Sequence, residues 1–311
     1  MKRRLVIGSR GSKLALAQAT TIKDHLIALN PEITIDIEVI KTTGDVKTDP
    51  LSVIGGKGVF TKELEQALLD GRIDVAVHSL KDLPTVVPEK LCLSAICKRE
   101  NAHDAIVTRI DSFTDNISIR SLPEAAVIGT SSPRRAAQLK YYRPDILIRD
   151  LRGNIDTRLR KLDEGKYDAL ILAAAGLHRL HMANRISAII STEEMLPAVS
   201  QGAIGIETRE SDNFAKEITV TADHLPTRLA CTAERALLRG LGGGCQLPIA
   251  AYAVVANDQI TIDGLVAHPN GNALIRERMT GPSSQPEELG AELAAALLER
   301  GAGKLLSEHR P

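Results

Sequence analysis

Ala126-Val127-Ile128-Gly129-Thr130-Ser131-Ser132-Pro133-Arg134-Arg135 is the stretch on which the fold turns. Its apolar start makes a short strand, and the polar turn that follows leads directly into a helix. Ser131 or Ser132 is the N-cap, because a hydroxyl there accepts from the free N–H groups of the first turn. Pro133 suits the first helical position, where its missing N–H is no loss. A strand that feeds straight into a helix is the repeating unit of an α/β sheet. Arg134 and Arg135 then fall in the first helical turn, where the macrodipole disfavours cations. Two arginines beside free N–H groups call for an anion supplied from outside the chain.

The same logic recurs on either side. Downstream, Leu147 to Asn154 is a strand end, and Asn154 caps a helix over Ile155–Glu164 that carries Arg158 and Arg160 and stops at Gly165. From Arg134 to Arg160 there are seven arginines and one lysine against three aspartates, a local net of +5 in a neutral protein. A solvated basic face would explain this. So would a site for carboxylates or phosphates, which match the planar fork of arginine better than lysine. Tyr167 to Ala175 is a buried strand leading to Gly176-Leu177-His178-Arg179. Upstream, Ile73-Asp74-Val75-Ala76-Val77-His78-Ser79-Leu80-Lys81-Asp82-Leu83-Pro84 is a buried strand running into a polar turn. Ligands of open α/β sheets bind at the carboxyl ends of strands, which gives Ser79, Lys81 and Asp82 a functional reading. The plain alternative is a surface Lys–Asp pair, worth almost nothing. His78 reads as a core histidine.

At the N-terminus, Leu5 to Ile7 is a strand ending in Gly8-Ser9-Arg10-Gly11-Ser12. Ser12 caps a helix whose apolar residues share one face until Pro31 stops it. Arg10 therefore stands at a strand end beside a helix start, where anions are favoured. Ile33 to Val39 alternates as a half-exposed strand. Thr43 to Gly58 has no periodicity, and a loop of that length is functional or disordered. Its Gly55-Gly56-Lys57-Gly58 is no phosphate-binding P-loop, because Leu51 and Gly58 stand where that motif needs glycine and Ser/Thr. Phe60 to Leu69 is an amphipathic helix. Leu91 to Cys97 is a strand in which Cys92 and Cys97 read as buried thiols, and Lys98 to Asp104 reads as a polar hinge. Met195 to Glu207 is a loop feeding one more buried strand.

After that strand the composition shifts. Arg228 to Leu241 is a helix that enters Leu241-Gly242-Gly243-Gly244-Cys245-Gln246-Leu247-Pro248. Three successive glycines give a backbone that turns freely and can be approached closely. Cys245, at the tip, is accessible and able to react as its thiolate. Ala250–Val255, Gln259–His268 and Ala273–Thr280 read as strands, and Pro286–Arg300 as a helix, which makes a small antiparallel α+β unit. Gly240 to Gly244 is not a dinucleotide fingerprint, since Cys245 takes its last glycine position.

The chain has 311 residues, enough for two or three domains. Its 39 basic and 39 acidic residues balance, so nothing global favours nucleic acid or an anionic membrane. No Trp and three Phe leave little for stacking bases. The four cysteines show neither metal-type spacing nor a disulfide framework, which fits reduced thiols in a cytoplasmic compartment and no metal. No stretch reads as a signal peptide or a membrane span.

Seven stretches together resemble the porphobilinogen deaminase (hydroxymethylbilane synthase) family, in family order and across nearly the whole chain. They are Ile7 to Ser12, Gly55 to Phe60, Ala76 to Pro84, Gly129 to Arg135, Leu151-Arg152-Gly153-Asn154, Leu196 to Gly202 and Gly243 to Pro248. The resemblance implies two periplasmic-binding-protein-like α/β lobes with two crossovers, plus a small C-terminal α+β domain with an antiparallel three-stranded sheet. The boundaries it implies are residues 1–99 with 200–220 for domain 1, 100–199 for domain 2 and 221–311 for domain 3. The activity implied is head-to-tail polymerisation of four porphobilinogen molecules with loss of ammonia, then hydrolytic release of hydroxymethylbilane. Cys245 would carry a dipyrromethane cofactor through a thioether.

Each pyrrole brings an acetate and a propionate, which accounts for the arginines. By resemblance Asp82 is the catalytic carboxylate. Lys81, Asp82, Thr130, Ser131, Ser132, Arg134, Arg135 and Arg158 match cofactor contacts beside Cys245. Arg10, Gln18, Arg152, Arg179 and Gln201 match positions that meet substrate. Porphobilinogen and the growing oligopyrrole chain are the expected partners, with no nucleic acid or membrane, in a cytoplasmic monomer. Two departures stand out: many members have lysine where this chain has Val53, and an apolar residue where it has Pro133. The rival reading is a two-lobed, non-catalytic carboxylate binder. It leaves Cys245 and the third domain unexplained.

Overall fold

The computed structural model describes residues 3–46, 58–109, 117–244 and 246–307. The chain forms two compact units, Met1–Glu100 with Ala203–Arg228, and Asn101–Gly202 with Leu229–Pro311. In the first, a five-stranded sheet runs in the order β2-β1-β3-β10-β4. Its strands are β1 (Arg3–Arg10), β2 (Ile33–Ile40), β3 (Val75–Ser79), β4 (Leu91–Ile96) and β10 (Ile204–Arg209). β1 is parallel to both β2 and β3, while β10 is antiparallel to β3 and β4. The strict alternation of β1 and β3 divides the core: Leu5, Ile7, Val75 and Val77 face the helix Lys13–Leu29 side, and Ala76 faces Leu64 and Leu68 of the helix Lys62–Leu69.

In the second unit, a sheet in the order β7-β6-β8-β5-β9 repeats the same winding. Its strands are β5 (Asp104–Thr108), β6 (Val127–Gly129), β7 (Leu147–Arg149), β8 (Ala169–Ala173) and β9 (Ala188–Ile189). β6 is parallel to β7 and β8, and β5 enters antiparallel between β8 and β9. One face packs Ile106, Ile128 and Ile171 on Leu139, and the other packs Val107, Leu170 and Leu172 on Leu159 and Leu162.

The same unit holds the three-stranded antiparallel sheet β11 (Ile249–Ala256), β12 (Gln259–Ala267), β13 (Leu274–Pro282). Asn257 and Asp258, both at positive φ (50° and 58°), close its first hairpin. The helices Leu225–Gly240 and Pro286–Glu299 cover one face with Leu237, Leu293 and Leu297. The fold class is thus the expected one, two α/β lobes and a C-terminal three-stranded antiparallel sheet. Expected element ends moved by a few residues, and Tyr167–Ala175 proved shorter: its last residues turn into the helix Ala174–Arg179.

Candidate active site

In the first unit the carboxyl ends of β1 and β3 meet. Ser12 caps the following helix as expected, its Oγ accepting from Ala15 N at 3.2 Å. That fixes the turn carrying Arg10, whose guanidinium lies 4.2 Å over the Phe60 ring. Gln18, buried on the same helix, donates from Nε2 to Ser79 Oγ at 3.0 Å. β3 ends at Ser79 in a single 3₁₀ turn, Leu80–Asp82, pinned by Leu80 N donating to Ala203 O at 3.0 Å. Asp82 is half-buried there. Arg10, Gln18, Phe60, His78, Ser79 and Asp82 line one pocket of about 60 Å³. Lys81 is half-buried in the same turn. Residues distant in sequence thus converge on a carboxylate with a cation and an amide nearby.

The second unit gathers its residues at the ends of β6 and β8. Thr130 N donates to Arg149 O at 3.0 Å, and Thr130 Oγ1 accepts from Ser132 N at 3.2 Å. Ser131 is bonded both ways to Leu151, at 2.7 and 2.9 Å, which ties the two strand ends together. Ser132, not Ser131, is the N-cap, and Pro133 is the first residue of the helix Pro133–Tyr142. Asn154 stands at the cap position of the helix Ile155–Asp163, but its side chain makes no capping bond.

Arg134 and Arg135 already meet an anion within the chain. Both are buried, 4% and 7% exposed, and both turn back into their own unit. Arg134 Nη1 donates to Asp104 Oδ2 and to Leu196 O, each at 2.7 Å. Arg135 donates to Asp104 Oδ1 from Nε (3.1 Å) and Nη2 (2.7 Å), and from Nη1 to Ile171 O at 3.0 Å. The anion is Asp104, fully buried at the first residue of β5. Because β5 runs antiparallel to β8, its first residue lies at the sheet edge where β6 and β8 end. Gln201, also fully buried, adds Nε2 bonds to Asp104 Oδ1 (2.9 Å) and Ala102 O (2.8 Å). Burial alone would push the Asp104 carboxyl up. The adjacent Arg134 and Arg135 guanidiniums overcome this and hold it well below the usual carboxylate range. In the sequence alone Asp104 reads as the end of the polar stretch Lys98 to Asp104. The overlooked signal is a lone charge opening the apolar run Ala105–Val107.

Three further arginines remain half-buried. Arg152 pairs with Asp150 at 3.0 Å, Arg158 donates to Gly153 O at 2.7 Å and Arg179 to Gly202 O at 2.6 Å. Gly153 and Gly202 hold φ of 107° and 90°, a conformation that turns their carbonyls without strain only for glycine. Cys245, Val53 and Gly55 to Lys57 lie outside the described residues. The loop before Cys245 is described: Gly242 takes a φ of 63°, and a Cβ on Gly243 would stand 2.4 Å from Ile249 Cδ1. Its glycines thus serve packing as well as freedom. Cys92 and Cys97 are half-buried rather than buried, and Cys231 is buried.

Each of the two like-wound α/β sheets thus gathers polar and charged side chains at its strand ends. Comparison with known proteins identifies the family. Residues 5–217 match the family model "Porphobilinogen deaminase, dipyromethane cofactor binding domain", and residues 228–299 match "Porphobilinogen deaminase, C-terminal domain". A porphobilinogen deaminase of Desulforudis audaxviator is 49% identical over 311 residues, 100% of this chain and 99% of that one. One of Synechococcus elongatus is 50% identical over 97% of this chain and 94% of its own. Among solved structures, an ancestral cationic amino acid solute binding protein is 16% identical over 70% of this chain and 87% of its own, with a TM-score of 0.43. The chain belongs to the porphobilinogen deaminase family, transferases of tetrapyrrole biosynthesis that build hydroxymethylbilane on a dipyrromethane cofactor.

Proposed function

We propose that Asp82 is the catalytic carboxylate of a porphobilinogen-polymerising transferase, and that Cys245 anchors its dipyrromethane through a thioether. The observation that carries this is the pocket at the end of β3, where Asp82 shares a small space with Arg10 and Gln18. Arg10 is a carboxylate partner already oriented by Phe60. Asp82, so placed, receives the substrate's aminomethyl cation, assists its departure as ammonia and stabilises positive charge on the pyrrole nitrogen.

The second unit suits the cofactor's acetates and propionates. Arg134 Nε is buried without a hydrogen-bond partner, a donor that a carboxylate would satisfy. When bound, the dipyrromethane supplies the terminal pyrrole onto which the chain is built. Lys81, Thr130, Ser131, Ser132, Arg135 and Arg158 complete its holding set. Arg152 and Arg179, half-buried, suit substrate carboxylates. Gln201 acts at one remove, by fixing Asp104.

The three-stranded sheet, with its own core, supports a third domain over 221–311, beside lobes over 1–99 with 200–220 and over 100–199. No described helix is long and apolar enough to cross a membrane. Charge balance and the scarcity of aromatics support a chain that engages no nucleic acid, the cysteine spacing supports a cytoplasmic location, and a monomer is what the family resemblance implies.

Two measurements test the reading. Intact-mass analysis in excess reductant should show an increment of one dipyrromethane, mapped to Cys245, because a thioether survives reduction. Asp82→Asn should retain the increment and the fold while ammonia release falls by roughly 10²-fold or more. An active wild-type chain of bare mass sinks the cofactor assignment, and near-normal turnover by the variant removes Asp82 from the mechanism.

A further inference from the structure

Three ionisable side chains that the proposed chemistry does not use meet inside the first unit. His78 on β3 is paired in register with Gly205 of β10, and Ala76 with Glu207, so His78 and Glu207 leave the same face of the sheet. His78 Nε2 lies 3.1 Å from Glu207 Oε2, with side chains 3% and 0% exposed. The helix Lys62–Leu69, packed on that face, brings in Glu65, itself 9% exposed. Glu207 Oε1 and Glu65 Oε1 are both buried without a hydrogen-bond partner.

An uncompensated buried carboxylate costs several kcal/mol, at the order of magnitude general to such sites, and a retained proton removes that cost. Burial pushes the Glu65 carboxyl up. Thr61 opposes this, the nearby Glu207 charge adds to it, and His78 and Lys62 pull it down. The other charged groups on the elements packed around the trio are Glu63 on the same helix, Arg3, Arg4 and Arg10 on β1, and Arg209 at the end of β10. Glu63 is engaged by Thr43, Arg209 by Asp74 and Asp212, and Arg10 lies over Phe60. Each is thus engaged elsewhere, as are the exposed Arg4, paired with Asp36, and Arg3, which lies over Phe214.

The trio borders the reaction site. His78 lines the pocket that holds Asp82, Arg10 and Gln18, and Thr61 lines it too. We propose that His78, held by Glu207, is a positioning residue for the reaction at Asp82, and that the buried Glu65 packed on the same face tunes it. This rests on the assignment of Asp82 above. With Glu65 protonated, the cluster carries one negative charge fewer, and the imidazole is held by Glu207 at one edge. Once the proton is lost, the cluster becomes more negative and the field at the departing ammonium changes.

The test uses the full chain with its cofactor. Infrared titration should show a carboxylic-acid carbonyl band that persists above the ordinary glutamate range and that Glu65→Gln removes. The kcat–pH profile of Glu65→Gln should lack one ionisation present in the wild type, with the melting temperature maintained. His78→Gln should lower kcat by about tenfold or more while KM changes little, a split that general loss of fold does not produce. If Glu65→Gln does not fold, titration of the band in wild-type chain isotopically labelled at glutamate decides the matter. No such band, or variant profiles that superimpose on the wild type after scaling, overturns the proposal. Failure of the wild type to release ammonia would instead strike the assignment of the activity.

Discussion

At the scale of single residues, Asp104 matters most to the second unit. It is the shared acceptor for Arg134, Arg135 and Gln201. Removing one member of a buried ion cluster strands the others, at a cost of roughly 3–5 kcal/mol. Asp104→Asn should therefore lower the unfolding free energy by an amount in that range at neutral pH, seen as a lower urea midpoint than wild type. A midpoint within error of wild type would mean that the two guanidiniums find other partners. The same geometry reverses a sequence-based expectation for Arg134. As a bare first-turn cation it opposes the helix dipole, and its loss would not cost stability. Because it is bonded to Asp104 and Leu196 O, its removal would strand a buried carboxylate, so its loss should cost stability. Helix position was legible in the sequence because caps and Pro133 act locally. Asp104 was not, because its partners lie 30 and 31 residues away across an antiparallel strand. The His78–Glu207 contact spans 129 positions and was equally hidden.

Among the elements, the glycine loop at the end of the helix Leu225–Gly240 shows how three like residues divide their work. Gly242 needs its positive φ of 63°, and Gly243 needs its missing Cβ, which would otherwise meet Ile249 Cδ1 at 2.4 Å and Leu238 Cδ1 at 2.8 Å. A Cβ on Gly244 would meet nothing within 4 Å. Both neighbours of Gly243 are side-chain ends in the core of the third sheet, so they must shift, at an overpacking cost of about 1–3 kcal/mol. Gly243→Ala should lower the melting temperature and the fraction of chain carrying the mass increment. Gly244→Ala should leave stability within about 0.5 kcal/mol of wild type. Equal effects from the two substitutions would show that freedom, not packing, is what the loop requires. The sequence displayed the flexibility of Gly242 to Gly244 but not this packing, which depends on where β11 places Ile249.

For the whole molecule, the sequence displayed α/β strand–helix units clearly but not the strand order. The insertion of β10 between β3 and β4, and of β5 between β8 and β9, depends on pairings far apart in the chain. That order also distributes the titrating groups unequally. In the second unit Asp104, Asp145, Asp150, Glu164 and Glu193 are all held below their ordinary range, with Asp104 fully buried among them. In the first unit Glu63 is lowered, but Glu65 is raised. A carboxyl lowered by folding contributes stability above its unfolded value, near 3.8 for aspartate, and loses it as pH falls through the folded value. A raised carboxyl does the opposite: its contribution is complete below the unfolded value, near 4.5 for glutamate, and declines as pH rises through the folded one. Acid therefore weakens the second unit more than the first. Hydrogen-exchange mass spectrometry on samples titrated downward from pH 5 should show protection factors in β5, β6 and β8 falling before those in β1 and β3. Asp104→Asn should narrow that gap, since it removes the buried carboxyl whose protonation drives it. Simultaneous loss in both units, in wild type and variant alike, would mean that acid unfolding is governed by overall positive charge rather than by these carboxyls.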